Sequence, residues 1–299
     1  MRFVTASKIV NDAHAKGYAV PALNANGSTY DIARAALEAA QETGSPLILQ
    51  SYEPNLEYRG AEYFVKMTAM LCDELGITVP VALQLDHGHS LNSTVKVMKA
   101  GFTSVMFDAS HDPLEENIKK TLEVIKIAGI MGCSVEAEVG YVKGNEPTKE
   151  KQIGRIAVPE KPLIPPAKTD IDEAKRFVEF APVDMLAVSV GTTHGVYKTQ
   201  DGIDFDLLRK LRHEIDVPLV QHGTCGISLE NISKLVKYGM SKVNFGEPFR
   251  FKYIEYFNEL TDNMEHQWHA WKIMREIKNR LKADMIEIII ALGAAGKAL

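Results

Sequence analysis

The sequence predicts an α/β fold, a closed (β/α)8 TIM barrel with extra helices at its carboxyl-terminal end. Short apolar runs rich in β-forming residues alternate with helix-periodic segments along the 299 residues. Eight such runs follow one another at fairly even spacing, as a closed parallel barrel of this length requires. An open doubly wound sheet is the alternative, but no GxGxxG fingerprint follows the first run.

The eight apolar runs are assigned as strands in chain order. They read YAVPALN (18–24), PLILQS (46–51), VPVALQLD (79–86), TSVMFDAS (103–110), SVEAEVG (134–140), DMLAVSVG (184–191), VPLVQHG (217–223) and SKVNFG (241–246). Each run but the last precedes a helix-periodic segment, of which DIARAALEAAQETG and SLENISKLVKYG are examples. After the eighth run, FRFKYIEYFNEL and HQWHAWKIMREIKNRL add more helix than a barrel needs.

One connection interrupts the even spacing. The segment KGNEPTKEKQIGRIAVPEKPLIPPAKT, between the fifth and sixth runs, is long, charged and rich in proline. Such a connection is typical of a lid over a site, and also of plain disorder. We predict a single domain over residues 1–299, with a mobile active-site loop over about 143–169 and a helical extension over about 250–299.

Composition and charge disfavour several classes of function. With 45% hydrophobic and 24% charged residues, the chain has enough apolar material for a substantial core. Its net charge of -5, with the two signs mixed, argues against binding to nucleic acid or to a membrane surface. Its 3 cysteines show no CxxC spacing, and no apolar segment has the length of a signal or a membrane span. We therefore expect a soluble, cytoplasmic protein.

Polar and titratable side chains stand at the ends of the predicted strands. They are Asn24, Asp86, His87, His89, Asp108, Glu136, Glu138, His194, His222 and Asn244. The carboxyl ends of all the strands of a parallel barrel meet on one face, which is where barrel enzymes carry their active sites. The sequence therefore predicts one cluster of functional side chains on that face.

Three of these strand ends supply a histidine followed by glycine: DHG at 86–88, THG at 193–195 and QHG at 221–223. A single pair of this kind is usually a turn, but three imidazoles from separate strands form the ligand set of a catalytic zinc site. Strand parity does not distinguish His87 from His89, because both would point to the same side. Asp108 also suits a turn cap, and Glu136 and Glu138 also suit a buried pair satisfied by lysines.

Five motifs occur in a fixed order along the chain. They are LDHGHS (85–90), SVMFDASH (104–111), SVEAEVG (134–140), VGTTHGVY (190–197) and LVQHGTCGIS (219–228). In this order they resemble the motifs of the class II, zinc-dependent ketose-bisphosphate aldolases, the family of fructose- and tagatose-bisphosphate aldolases. The resemblance extends to the opening YAVPALNANG and the closing GAAGKAL, so it covers nearly the whole chain.

The resemblance implies a metal site. It assigns Zn²⁺ to His87, His194 and His222, with a monovalent cation as a further candidate cofactor, and it leaves the second histidine of the DHGH sequence without a ligand role. Asp108 and Glu138 match a metal-proximal pair that forms a secondary or alternate metal position. Zinc would act as a Lewis acid on the charge that appears when the C3–C4 bond of a ketose breaks.

The resemblance also implies two proton-transfer groups. Asp86 matches the acid/base beside the metal, which accepts the proton of the C4 hydroxyl. Glu146, in VGYVKGNE, matches an acid on a mobile loop that protonates the enediolate left by cleavage.

The segments that match the family's phosphate site depart from its pattern. The family reads roughly HGASG and N(V/I)(A/D)T, whereas this chain reads HGTCG and NFGEP, with Cys225 and Glu247 as the changed side chains. The predicted substrate contacts are Asn24, Gly195, Gly223, Cys225, Asn244, Gly246 and Glu247. Backbone amides still suit an anion, but a carboxylate about 4 Å from a phosphate costs on the order of 1 kcal/mol or more.

Several functions stay open from the sequence. The family default is cleavage of a ketose 1-phosphate or ketose bisphosphate to dihydroxyacetone phosphate and an aldehyde. A zinc aldolase with a non-phosphorylated or otherwise atypical hydroxyketone donor is the alternative that Cys225 and Glu247 favour. A noncatalytic partner subunit is disfavoured by the intact Asp86 and histidines. A metal-dependent isomerase or epimerase is weaker, although it would use the same charge stabilisation.

The carboxyl-terminal helices raise the question of assembly. Among their aromatic residues are Tyr253, Tyr256, Phe257, Trp268 and Trp271, more than the outer layer of a barrel requires. A homodimer or homotetramer is expected if these residues form a subunit contact, and a monomer if they cover the end of the barrel.

Overall fold

The computed structural model describes residues 3–26, 29–142, 144, 158–162, 165–262 and 269–298. Its strands are β1 (Val20–Asn24), β2 (Leu47–Tyr52), β3 (Val81–Gly88), β4 (Ser104–Phe107), β5 (Ser134–Val139), β6 (Met185–Val188), β7 (Leu219–Gln221) and β8 (Met240–Phe245). Each pairs in parallel with its neighbours in chain order, and β1 pairs with β8, so the sheet is a closed barrel. The predicted (β/α)8 barrel is confirmed, and the open sheet is excluded.

Helices surround the barrel in the expected alternation. They are α1 (Ala6–Lys16), α2 (Tyr30–Thr43), α3 (Glu53–Arg59), α4 (Ala61–Glu74), α5 (Leu91–Ala100), α6 (Leu114–Met131), α7 (Ile171–Phe180), α8 (Phe205–Glu214), α9 (Leu229–Lys237), α10 (Glu247–Asp262) and α11 (Ala270–Ala291). Side-chain caps define where several of them begin: Ser90 accepts from the Ser93 amide, and Asp170 accepts from the amides of Asp172 and Glu173.

Hydrophobic burial fixes the arrangement of these layers. The strands are buried on both faces, as the near-continuous apolar runs of a parallel sheet require. Helix α1 lies at the amino-terminal end of the barrel, where the Ala6 amide donates to Ser104 Oγ at 2.7 Å. The opposite end, where the strands finish, is left for the polar residues predicted from the sequence.

The extra carboxyl-terminal helices are present. Helix α11 packs against α2, α9 and α10, and it buries Ile277, Leu281, Met285 and Ile289 in the core. Trp271 is 57% exposed, whereas Trp268 lies outside the described residues. Within the described ranges, no helix is both long and apolar enough to cross a membrane.

Strand ends differ from the sequence prediction by a few residues. The fourth run was expected to reach residue 110, but β4 ends at Phe107. The reason is local: Asp108 Oδ1 accepts hydrogen bonds from the Ser110 amide at 3.0 Å and from Ser110 Oγ at 2.6 Å, which turns the chain. Most of the predicted mobile loop, 143–169, falls outside the described residues.

Candidate active site

The carboxyl-terminal mouth of the barrel brings most of the predicted site residues together. Strands β1, β3, β5 and β8 contribute Asn24, Asp86 with His87, Glu138 and Asn244, and the segments after β4, β6 and β7 contribute Asp108, His194 and His222. The predicted loop acid Glu146 lies outside the described residues. The meeting of strand ends, inferred from the sequence, is therefore observed for these residues, whereas His89 stays outside the cluster.

The three imidazoles face one another across the mouth. The ring centroids are 4.8 Å apart for His87 and His222, 5.2 Å for His87 and His194, and 5.8 Å for His194 and His222. One ring nitrogen from each lies within 4.8 Å of the other two. Three imidazole nitrogens this close together are within reach of a single metal ion.

The backbone of His87 explains why it enters this cluster and His89 does not. His87 has a left-handed φ of 47°, and the register of β3 against β4 shifts between Leu85 and Gly88. The extended alternation on which strand parity depends is therefore interrupted. His89 is exposed, and its amide donates to Glu53 Oε2 at 2.8 Å.

Each imidazole has its own carboxylate partner. His87 Nδ1 lies 2.8 Å from Asp108 Oδ2, and His222 Nε2 lies 2.9 Å from Glu136 Oε1. The third pair is His194 Nδ1 and Glu247 Oε1, at 3.2 Å. A carboxylate only accepts, so each contacted nitrogen carries a proton and the tautomer of every ring is set.

Among the described residues, the remaining ring nitrogens have no suitable hydrogen-bond partner. His87 Nε2 faces His222 Nδ1 at 3.1 Å, and in these tautomers neither carries a proton to donate. His194 Nε2 is buried and has no hydrogen-bond partner among the described residues. A proton, a hydrogen-bond donor or a cation would satisfy these nitrogens, and the three rings fit a catalytic zinc ion.

The surrounding charges determine how the rings titrate. Burial by itself would lower the pKa of His87, but the carboxylates of Asp86, Asp108 and Glu138 raise it to about 10. Burial lowers the pKa of His222 to about 4. A proton added to these rings therefore belongs to His87 and not to His222.

Asp86 is tethered on both carboxylate oxygens. Asn24 Nδ2 donates to Oδ2 at 2.9 Å, and Asn244 Nδ2 donates to Oδ1 at 3.2 Å. The Asn24 amide is itself oriented, since its Oδ1 accepts from the Asn26 amide at 2.9 Å. Asp86 is thus a carboxylate held by two amides directly beside the histidine cluster, a geometry that suits a proton acceptor.

A second group of possible metal ligands includes His87, Asp108 and Glu138. Glu138 Oε1 accepts from the Val142 amide at 2.6 Å, whereas Oε2 is buried with no partner among the described residues. Burial, and then repulsion from Asp108, raises the pKa of Glu138 to about 7. Among the described contacts, no lysine neutralises the Glu138 carboxylate, whereas a lysine does neutralise Glu136. The expectation of a buried pair satisfied by lysines therefore holds for Glu136 and not for Glu138.

The loops after β6 and β7 require glycine at two predicted positions. Gly195 has φ 139°, and a Cβ there would lie 2.5 Å from Tyr197 Oη. Gly223 has φ 66°, and a Cβ there would lie 2.7 Å from the Thr193 carbonyl oxygen. Both are therefore required by the fold, because a side chain at either position would collide with a neighbouring segment.

The two residues that depart from the family pattern lie beside these loops. Cys225 is buried, and its Sγ lies 3.8 Å from the Tyr197 carbonyl oxygen. Glu247 is 18% exposed and directs its carboxylate to His194. Gly246 lies against Asn24. The structure thus places Glu247 among the groups that hold the histidines, a contact that the sequence did not indicate.

Lys242 is a site residue that sequence reasoning missed. Its fully buried Nζ lies 2.7 Å from Glu136 Oε2 and 2.6 Å from Asn244 Oδ1. The sequence feature that could have indicated it is a lysine inside the apolar run SKVNF. This lysine stands two residues before Asn244 and is therefore on the same side of the strand. A lysine inside a barrel needs a buried acid as its partner.

Comparisons with known proteins agree with this geometry. The family model for Fructose-bisphosphate aldolase class-II matches residues 4–297. The 6-phospho-5-dehydro-2-deoxy-D-gluconate aldolase of Bacillus licheniformis is 34% identical, covering 100% of this chain and 98% of that protein. The fructose-bisphosphate aldolase of Geobacillus stearothermophilus is also 34% identical, covering 100% of this chain and 99% of that protein.

A solved structure shows the same likeness in three dimensions. The crystal structure of the YdjI aldolase from Escherichia coli K12 superposes with a TM-score of 0.82 at 28% identity, covering 99% of this chain and 100% of that one. The family match and both relatives extend over nearly the full length of the chain. The chain therefore belongs to the class II fructose-bisphosphate aldolase family, and it is an aldolase, an enzyme of the lyase class.

Proposed function

We propose that this aldolase is zinc-dependent and that it reversibly cleaves a ketose 1-phosphate or ketose bisphosphate to dihydroxyacetone phosphate and an aldehyde. The observation that carries the proposal is the convergence of three imidazoles beside the tethered Asp86. Each imidazole has a carboxylate behind it, as metal-binding histidines usually do.

His87, His194 and His222 would hold the zinc, through His87 Nε2, His194 Nε2 and His222 Nδ1. When bound, zinc supplies Lewis-acid stabilisation of the negative charge that develops on the ketose oxygens. Asp108 and Glu138 would complete an alternate metal position with His87, since the unpartnered Glu138 Oε2 is available there.

Asp86 would accept the proton of the C4 hydroxyl as the C3–C4 bond breaks. The electron pair of that bond stays on the three-carbon donor fragment, and the C4 carbon leaves as an aldehyde. Asn24 and Asn244 hold the carboxylate from two sides, so little reorientation is needed when the proton moves. In the synthetic direction, the same oxygen returns the proton.

Glu146 would protonate the terminal carbon of the donor fragment. Gly144, two residues earlier in the chain, forms an isolated bridge with His194. This bridge supports the role, because it brings the beginning of the predicted loop to one of the candidate metal ligands.

The donor phosphate would be bound by the loops after β6, β7 and β8. Gly195, Gly223 and Gly246 would present backbone, with Cys225 and Asn244 beside them. Fructose-bisphosphate aldolase and 6-phospho-5-dehydro-2-deoxy-D-gluconate aldolase, the names of two relatives, both describe phosphorylated substrates, which supports a phosphate donor.

Glu247 favours a second candidate, an aldolase whose donor has no phosphate. Its carboxylate lies at the same mouth and would repel an anion. The contact with His194 weakens this objection, because a metal on the other side of that ring would offset part of the charge. We therefore place the phosphate donor first.

We also propose a homodimer or homotetramer. Ile254, Phe257 and Trp271, on α10 and α11, are 56%, 40% and 57% exposed. Apolar side chains at this density on neighbouring helices support a subunit contact.

Product analysis tests the function. Zinc-loaded protein is incubated with ketose 1-phosphates, ketose bisphosphates and their unphosphorylated counterparts, and the carbonyl fragments are identified. Release of dihydroxyacetone phosphate from a phosphorylated ketose is expected. Release of fragments from the unphosphorylated ketoses alone would select the second candidate, and isomerised ketose without cleavage would reject both.

A further inference from the structure

Lys242 is a fully buried cation at the centre of the barrel mouth. Its side chain and that of Glu136 are both 0% exposed, and their charged atoms are 2.7 Å apart. Glu136 Oε2 also accepts from Gln84 Nε2 at 2.7 Å. Lys242 is not in the proton-transfer or metal-binding sets described above, so its place inside the barrel needs a separate explanation.

One branch of contacts runs from Lys242 to a histidine. Lys242 neutralises Glu136 and donates to one of its carboxylate oxygens. The other oxygen accepts a hydrogen bond from His222 Nε2 at 2.9 Å. The position of the Glu136 carboxylate therefore decides both the tautomer and the angle of the His222 ring. A displaced Glu136 would turn His222 Nδ1 away from the other two imidazoles.

The other branch runs to the proton acceptor. Lys242 only donates, so the atom of Asn244 that it contacts at 2.6 Å must be the carbonyl oxygen. The NH2 group of Asn244 is then directed to Asp86 Oδ1 at 3.2 Å. Asn244 Nδ2 also lies 3.2 Å from His222 Nε2, but both atoms are donors in this arrangement, so that contact is not a hydrogen bond.

We infer that Lys242 is a positioning residue, which sets His222 through Glu136 and Asp86 through Asn244 and so fixes a metal ligand and the proton acceptor relative to each other. This inference rests on the proposed function and deepens it. Through a single ammonium group, the geometry of metal binding and the geometry of proton transfer depend on one another.

Stability alone does not explain the pair. Replacing a buried ion pair by apolar side chains of similar volume is often neutral or stabilising, because desolvation of two charges offsets most of their attraction. The two acceptors of the Lys242 ammonium group, Glu136 and Asn244, contact a candidate ligand and Asp86 respectively. A role in positioning accounts for an ion pair at this place in the barrel, whereas a role in packing would be filled by a methionine.

The test compares Lys242→Met with Lys278→Met. Lys278 forms a comparable, largely buried pair with Glu38, 2.5 Å apart, between α11 and α2 on the outside of the barrel. Zinc affinity is measured by chelator competition, the visible spectrum is recorded with cobalt in place of zinc, and turnover is measured at saturating zinc. Lys242→Met is expected to weaken zinc binding about 10- to 100-fold, to change the cobalt spectrum and to lower turnover, while Lys278→Met changes none of these.

If Lys242→Met has the same zinc affinity, cobalt spectrum and turnover as Lys278→Met, the inference is overturned and the proposed function stays intact. Absence of zinc binding by the unmodified protein would instead overturn the proposed function. If Lys242→Met does not fold, the double variant Glu136→Gln with Lys242→Met is used in its place, because it leaves no unpaired charge. Its zinc affinity, cobalt spectrum and turnover are measured in the same way. The same losses are expected from it, and unchanged values would again overturn the inference.

Discussion

His194 and Glu247 meet at the mouth of the barrel, with 3.2 Å between the imidazole Nδ1 and the carboxylate Oε1. Burial opposes ionisation of Glu247, but the hydrogen bond and charge interaction with His194, together with the positive charge of Arg250, outweigh burial and lower the pKa of the carboxyl group to about 2. Glu247 is therefore a carboxylate at neutral pH. Its contact leaves His194 Nε2 as the atom that faces the other imidazoles.

Loss of this carboxylate should weaken metal binding. Glu247→Ala removes the acceptor that orients His194, so zinc affinity is expected to fall about 10- to 100-fold in chelator competition. Asp201→Ala, which removes an exposed carboxylate paired with Lys161, is the control and should leave zinc affinity unchanged. Equal affinity in the Glu247 variant and the control would show that the contact does not support the metal.

The same residue should weaken binding of a donor phosphate. In protein saturated with zinc, Glu247→Gln keeps a hydrogen-bond acceptor for His194 but removes the negative charge. Dihydroxyacetone phosphate is expected to bind the variant about tenfold more tightly, which corresponds to about 1.4 kcal/mol. Calorimetric titration of both proteins measures this difference. Weaker binding by the variant would mean that the charge of Glu247 does not oppose the phosphate.

Asp86 should be needed for turnover and not for metal. Asp86→Asn keeps the size of the side chain and removes the proton acceptor, so turnover is expected to fall about 10²- to 10⁴-fold. Zinc content should match that of the unmodified protein. Asp112→Asn changes a surface carboxylate paired with Lys120 and should retain full turnover. An Asp86→Asn enzyme with near-normal turnover would remove Asp86 from the mechanism.

Zinc binding should release protons. His87 has a pKa of about 10 in the metal-free protein, so at pH 8 to 9 it is protonated, and a metal must displace that proton. His222, with a pKa of about 4, is already neutral there and releases none. We expect release of at least about one proton per zinc, and an apparent affinity that rises about tenfold per pH unit in this range. Calorimetry in buffers of different ionisation enthalpy measures it, and zero release would contradict the assignment of His87.

Much of the fold could be read from the sequence because a parallel barrel buries its strands on both faces. The apolar runs at 46–51 and 134–140 correspond to Leu47–Tyr52 and Ser134–Val139. The length of such a run, and the turn residues that bound it, can be recognised from the local sequence alone. The early end of β4 could not be read in the same way, since it depends on how Asp108 folds back on Ser110.

The candidate site could be predicted as a set of residue types, but not as a network. Strand ends indicated the histidines and Asp86, because every strand of a parallel barrel ends on the same face. The choice of His87 over His89 depends on a left-handed backbone and a register shift, which have no sequence signature here. The contact between Glu136 and Lys242 joins residues 106 positions apart, and only the closed barrel brings them together.

Removal and restoration of metal test the central claim most directly. One sample of the enzyme is assayed for release of dihydroxyacetone phosphate from the phosphorylated ketose that it cleaves best, first as zinc-loaded protein, then after complete chelation, and again after addition of zinc. The three converging imidazoles predict that cleavage is lost with the metal and recovered with zinc, while the protein stays folded throughout. Cleavage at an unchanged rate by the metal-free protein would contradict the account.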